Sequence, residues 1–178
     1  MLVREKENWL IWLYFSVFIA NLGYFALSVS KALEEALLAN RLGYLGSVFL
    51  PLCMLMTLVK VCKLEMPRIM MYILIGISMV IFLIAATQGY LNWYYKEVSF
   101  TIVDGVAKLE KVYGPLHKLY YVYLFLAFLA MIGAIFMALL KKKITSYAHA
   151  GVLAVVVLFN ILIWLVEQFV KTGFEFLS

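Results

Sequence analysis

Charge is scarce in this chain: Asp, Glu, Lys and Arg make up 14% of its 178 residues, against roughly a quarter in soluble domains. Water cannot be its main solvent. Cysteine is limited to Cys53 and Cys62, nine residues apart on one predicted helix, so no disulfide framework or Cys-x-x-Cys metal motif exists. Both read as small buried hydrophobes, with palmitoylation of Cys62 as the alternative. Histidine occurs twice, as His117 at the outer end of its predicted span and His149 at the inner start of the next, which excludes one shared metal ion or haem. No His-Glu-x-x-His, Walker glycine loop or serine nucleophile elbow is present. The reading is therefore no enzyme, no metal and no cofactor. A basic stripe with interleaved aromatics is missing too, so no nucleic-acid partner is expected.

What the chain has instead is apolar length, with 66% hydrophobic residues and a mean hydropathy of +1.00. Five runs reach the roughly 20 residues that cross a bilayer as helix: Trp9–Val29, Ala36–Val61, Ile69–Tyr90, Pro115–Leu140 and Tyr147–Val170. The expected fold class is an all-α integral membrane protein, a five-helix transmembrane bundle forming one domain over residues 1–178. The first run is too long for the apolar core of a cleaved signal peptide. It is expected to remain.

Orientation follows from lysine and arginine. With the N-terminus inside, Arg4, Lys6, Lys60, Lys63, Arg68 and Lys141 to Lys143 supply eight of the fifteen cations to the inner segments. Of the other seven, Arg41 and Lys118 lie within predicted helices, leaving five outside. The expectation is a multi-pass inner (plasma) membrane protein, N-terminus cytoplasmic and the C-terminus of this chain extracytoplasmic. The lipid bilayer is its first partner, and a homodimer is a further one.

Between spans three and four lies the long connection, Asn92 to Tyr113. Val98, Phe100 and Ile102 alternate with Ser99 and Thr101, Asp104-Gly105 fits the two positive-φ positions of a type I′ turn, and Val106 to Leu109 follow. This predicts an extracytoplasmic β-hairpin lying on the helix ends, as a lid or as a packed connector. Trp93, Tyr94 and Tyr95 read as an interfacial anchor, matched by Trp9 and Trp12 on the inner side. Ser30 reads as the N-cap of span two, with Glu34 and Glu35 near the positive end of the helix dipole. Pro51 predicts a kink in the same span.

Polar side chains recur at helical spacing: Asn21, Tyr24 and Ser28; Arg41 and Tyr44; Ser78 and Gln88; Tyr113, His117, Tyr120 and Tyr121; Asn160, Trp164 and Glu167. In the expected topology Tyr24, Arg41, Tyr44, Gln88, His117, Tyr120 and Glu167 all fall in the outer half of the membrane. Ionisable groups at depth are costly and normally face a bundle interior or a wet cavity. The seven therefore form a candidate ligand-binding band for a small amphipathic or apolar molecule, with Arg41 and His117 suited to an anionic or polar head group. His117 would add pH dependence. Snorkelling of Arg41 and Lys118 and pairing with Glu167 is the bland alternative. A small transporter or channel subunit, or a structural assembly subunit, are the other functional readings, though a transporter needs polar residues through the full depth.

Asn21-Leu22-Gly23-Tyr24, Leu33 through Gly46, Pro51 and Tyr113-Gly114-Pro115-Leu116-His117-Lys118-Leu119-Tyr120-Tyr121, in that order, resemble the seven-transmembrane sensor domain at the N-terminus of many bacterial histidine kinases and GGDEF diguanylate cyclases. The resemblance implies a receptor that passes an extracytoplasmic signal to a cytoplasmic output domain. By matching position it implies that Gly23-Tyr24, Arg41, Tyr44-Leu45-Gly46, Pro51 and Tyr113-Gly114-Pro115 are core and pocket positions. The resemblance implies that the chain starts in what would be the loop before the family's second helix and stops after what would be its sixth, so that the first and seventh helices and an output domain are expected to lie outside these residues.

Overall fold

The computed structural model describes residues 2–103 and 105–142, with side chains from Asn8 onward, together with Val155, Leu158 and Phe159. The elements run α1 (Leu2–Ser28), α2 (Leu33–Val61), α3 (Arg68–Ala86), β1 (Tyr95–Val103), β2 (Val106–Tyr113) and α4 (His117–Leu140). Among the described residues, four helices are long and apolar enough to cross a membrane. The expected fifth span falls outside those residues but for its three described positions, which are helical.

Helix α2 is the centre of the bundle, with buried positions along its whole length from Ala36 to Val59. By contrast α3 buries only Ser78 and Ala85, and turns Ile69, Tyr72, Ile73, Val80 and Leu83 outward. Such a face suits lipid tails. Helices α1 and α2 pack closely along a seam of small residues, Ser16, Ala20 and Gly23 against Ala39, Gly43 and Gly46. A Cβ on Gly46 would stand 2.3 Å from the Ala20 backbone nitrogen, so that approach needs glycine. Small residues serve helix pairs in lipid because close packing replaces the missing hydrophobic drive.

The start of α2 differs from the sequence expectation. Ser30 is not its cap: its hydroxyl donates back to the Ala26 carbonyl of α1 at 2.8 Å, and the N-cap is Ala32 in extended conformation. Glu34 and Glu35 do occupy the first turn, where Glu35 accepts from the Lys31 amide at 2.9 Å. Pro51 stands buried inside α2, and its missing N–H leaves the Ser47 carbonyl without a helical donor.

Strands β1 and β2 form the expected antiparallel hairpin, with Val103 opposite Val106 and Phe100 opposite Leu109. Gly105 has the required positive φ of 78°; Asp104 lies outside the described residues. A register shift between Tyr95 and Glu97 turns the hairpin base. That bulge brings Tyr95 beneath the strands and onto α2.

Candidate functional site

The hairpin end of the bundle gathers the C-terminus of α1, the N-terminus of α2, the end of α3 and the start of α4. Helix α3 stops at Ala86, four residues before the predicted end, because the chain turns at Thr87 and Gly89 takes a φ of +76°. Gln88 is therefore in a turn and not on the helix. The turn carries the Gln88 backbone carbonyl to the Arg41 guanidinium, which donates to it through Nη2. Arg41 also lies 4.4 Å from the centre of the Tyr90 ring, with Nη1 3.5 Å from its hydroxyl. One turn of chain is thereby hooked onto α2.

Beside it, the Asn40 amide donates to Gln88 Oε1, and Asn40 Oδ1 accepts from Lys111 of β2 at 3.3 Å. The same ammonium lies 5.4 Å from the Tyr95 ring centre. Asn40 and Gln88 are buried. Two donor atoms, Gln88 Nε2 and Arg41 Nε, are buried without a hydrogen-bond partner among the described residues. Each such orphan costs about 1–3 kcal/mol. A site that keeps two of them has a reason to attract acceptors.

Next to this ledge stands a box of rings around His117, which is 2% exposed. The imidazole stacks on Tyr113 at 4.0 Å and meets the edges of Tyr94 and Tyr121, each at 4.8 Å. Tyr44 sets its edge against Tyr94 and Tyr120 and shares a 2.8 Å hydroxyl contact with Tyr95. Such pairs contribute about 0.5–1.5 kcal/mol each beyond burial. The hairpin base is sewn to the start of α4 by Gly114 N–H to the Tyr94 carbonyl, 2.7 Å, and Leu116 N–H to the Trp93 carbonyl, 3.0 Å. Tyr113 is the last residue of β2 and not part of α4, as its helical spacing suggested.

The residues chosen from the sequence thus divide. Arg41 and Gln88 share the polar ledge; Tyr44, His117 and Tyr120 belong to the ring box. Tyr24 lies deeper, its hydroxyl 3.4 Å from Ser47 Oγ, and Glu167 is outside the described residues. Arg41 and His117, expected to hold one head group, sit in adjoining clusters linked through Tyr95 and Lys111. Four partners escaped notice: Asn40, Lys111, Tyr94 and Tyr95. Asn40 signalled itself as an amide inside a span; Tyr94 and Tyr95 resembled belt residues, yet they are buried and only Trp93, 53% exposed, faces outward. Further along, Tyr123 of α4 donates to the Val48 carbonyl at 2.8 Å and lies 3.0 Å from Ser78 Oγ. It joins three helices close to Pro51.

Among the described residues no three His, Cys, Asp or Glu side chains come together as a metal group. Cys62, just past α2, is fully buried, and burial pushes its thiol pKa up. Little thiolate is then offered for acylation.

A multi-pass helical bundle whose polar and aromatic side chains gather at one end, beneath a hairpin, defines a helical membrane protein. The chain belongs to the family described as the N-terminal 7TM region of histidine kinase, whose model matches residues 2–177. That region is a membrane sensory module and not the catalytic domain of the kinase. Neither the comparison with curated proteins nor that with solved structures returned a match.

Proposed function

We propose that the chain is a signal-input domain, a receptor of the cell's inner membrane whose hairpin end is extracytoplasmic and whose N-terminus is cytoplasmic. A small extracytoplasmic or lipid-soluble ligand, amphipathic or apolar, enters at the hairpin end in the outer leaflet. It acts by binding one packing of α2, the hairpin and α4 more tightly than another, which shifts their populations. The observation that carries this reading is the convergence of Asn40 and Arg41 of α2, Gln88 in the turn after α3 and Lys111 of β2, with two buried donors unmet among the described residues. Output through a kinase or a diguanylate cyclase domain is the corresponding downstream step.

The test is thermal unfolding of the whole chain in nanodiscs against a panel of small amphipathic carboxylates, alcohols and amines. At least one class should raise the unfolding temperature saturably, and liposomes holding the protein should show no solute flux. Passage of solute would establish a transporter; a flat panel would remove the ligand.

A further inference from the structure

Lys111 decides which way two buried amides point. An ammonium has only protons to give, so the end of Asn40 that it meets at 3.3 Å is the oxygen. Asn40 therefore turns its NH2 towards Gln88, and the atom facing it is the acceptor Oε1. Gln88 is left with its own NH2 directed away from Asn40, buried and without a partner among the described residues. Flipping Gln88 alone would oppose two NH2 groups, and flipping both amides would oppose Asn40 NH2 to the ammonium. The orphan donor is thus a consequence of the network.

Arg41 repeats the pattern. Its two terminal nitrogens are turned to Gln88 and Tyr90, while Nε is buried with no partner among the described residues. Both unmet atoms are donors, and one of them belongs to the Arg41 guanidinium, which is positive. A neutral acceptor would satisfy the donors and leave the charge; a charged oxygen acceptor answers both, and charge-assisted bonds are roughly twice as strong as neutral ones.

We infer that the Asn40, Arg41, Gln88 and Lys111 ledge binds an oxyanion, a carboxylate or a phosphate, through Gln88 Nε2 and Arg41 Nε. This rests on the receptor reading of the hairpin end and names the chemical class of its ligand. His117 is outside the oxyanion site, packed among rings. Tyr90, an exposed ring, lies over the guanidinium.

The probes are octanoate, inorganic phosphate and octanol, titrated against the whole chain in phosphatidylcholine nanodiscs and again in discs containing phosphatidylglycerol. Octanoate or phosphate should bind saturably, at least about tenfold more tightly than octanol, since a bond to a charged group is lost with the alcohol. Gln88→Glu, which exchanges the donor for an acceptor, should weaken the oxyanion by about tenfold or more and leave octanol unchanged. Competition by phosphatidylglycerol would identify a lipid phosphate as the source; its absence, with octanoate or phosphate still bound, would identify a free anion. Octanol binding as tightly as octanoate, with phosphate inert, would overturn the oxyanion and spare the receptor; silence from every probe would also overturn the oxyanion, and the receptor would fall only if the amines of the wider panel were silent too. Should the variant fail to fold, the octanoate-to-octanol ratio of the native chain decides.

Discussion

Towards the hairpin, α2 meets its neighbours through rings and directed bonds, as in Tyr44 with Tyr95 and Asn40 with Gln88. Beyond Pro51 the core is instead Leu55, Leu58 and Val59 of α2 with Phe128, Met131 and Ile135 of α4. The two halves of one bundle are therefore held by different forces. A hydrogen bond weakens steeply with angle and distance, whereas a pair of aliphatic atoms forfeits only about 0.1–0.2 kcal/mol when it parts. The hairpin half can discriminate between arrangements; the other half tolerates them.

The comparison breaks most visibly where large side chains are removed from each half. His117→Ala and Met131→Ala should each cost about 3 kcal/mol of stability, by the usual cost of emptying a core site. Only the first should also blunt stabilisation by ligand in a thermal-unfolding titration, because the second lies in the aliphatic half. Equal loss of ligand response in both would merge the halves.

A smaller effect is expected at Gly114. A Cβ there would stand 2.3 Å from the Trp93 carbonyl oxygen, so Gly114→Ala should cost about 2 kcal/mol through forced displacement of the hairpin base. Hydrogen exchange should then rise in β1 and β2 and stay unchanged in α2 beyond Pro51. Tyr44→Phe keeps the ring and removes the hydroxyl that meets Tyr95, and about 1 kcal/mol should go with it. Smallest of all is Cys62: with its thiol buried and its pKa raised, maleimide labelling of the folded chain at neutral pH should be slow and should accelerate on denaturation. Because the thiolate is the reactive form, labelling should also quicken as pH rises.

Much of this architecture can be read before any coordinates. The apolar runs give the described helices, and the alternation through Val98, Phe100 and Ile102 gives the hairpin. Their limits are harder. Tyr90 prolongs an apolar run that the backbone leaves at Thr87, since a left-handed Gly89 ends α3 whatever hydropathy follows. Tyr113 has the right spacing to His117 for a helix face, yet it reaches the imidazole from a strand. Lys111 could not be foreseen at Asn40, because that meeting depends on how the hairpin folds down over α2. Local pattern reveals elements; a site made by four of them appears only when they are packed.

The central claim is that the hairpin end moves between two packings under ligand control. Spin labels at Ser99 of β1 and Lys31 before α2, both exposed positions, in a chain with Cys53 and Cys62 replaced by Ala, allow it to be measured by double electron–electron resonance in nanodiscs. The account predicts that saturating octanoate redistributes the label distances between two populations and that Arg41→Gln abolishes the change. A single distance distribution, identical with and without octanoate in a chain shown to bind it, would contradict it.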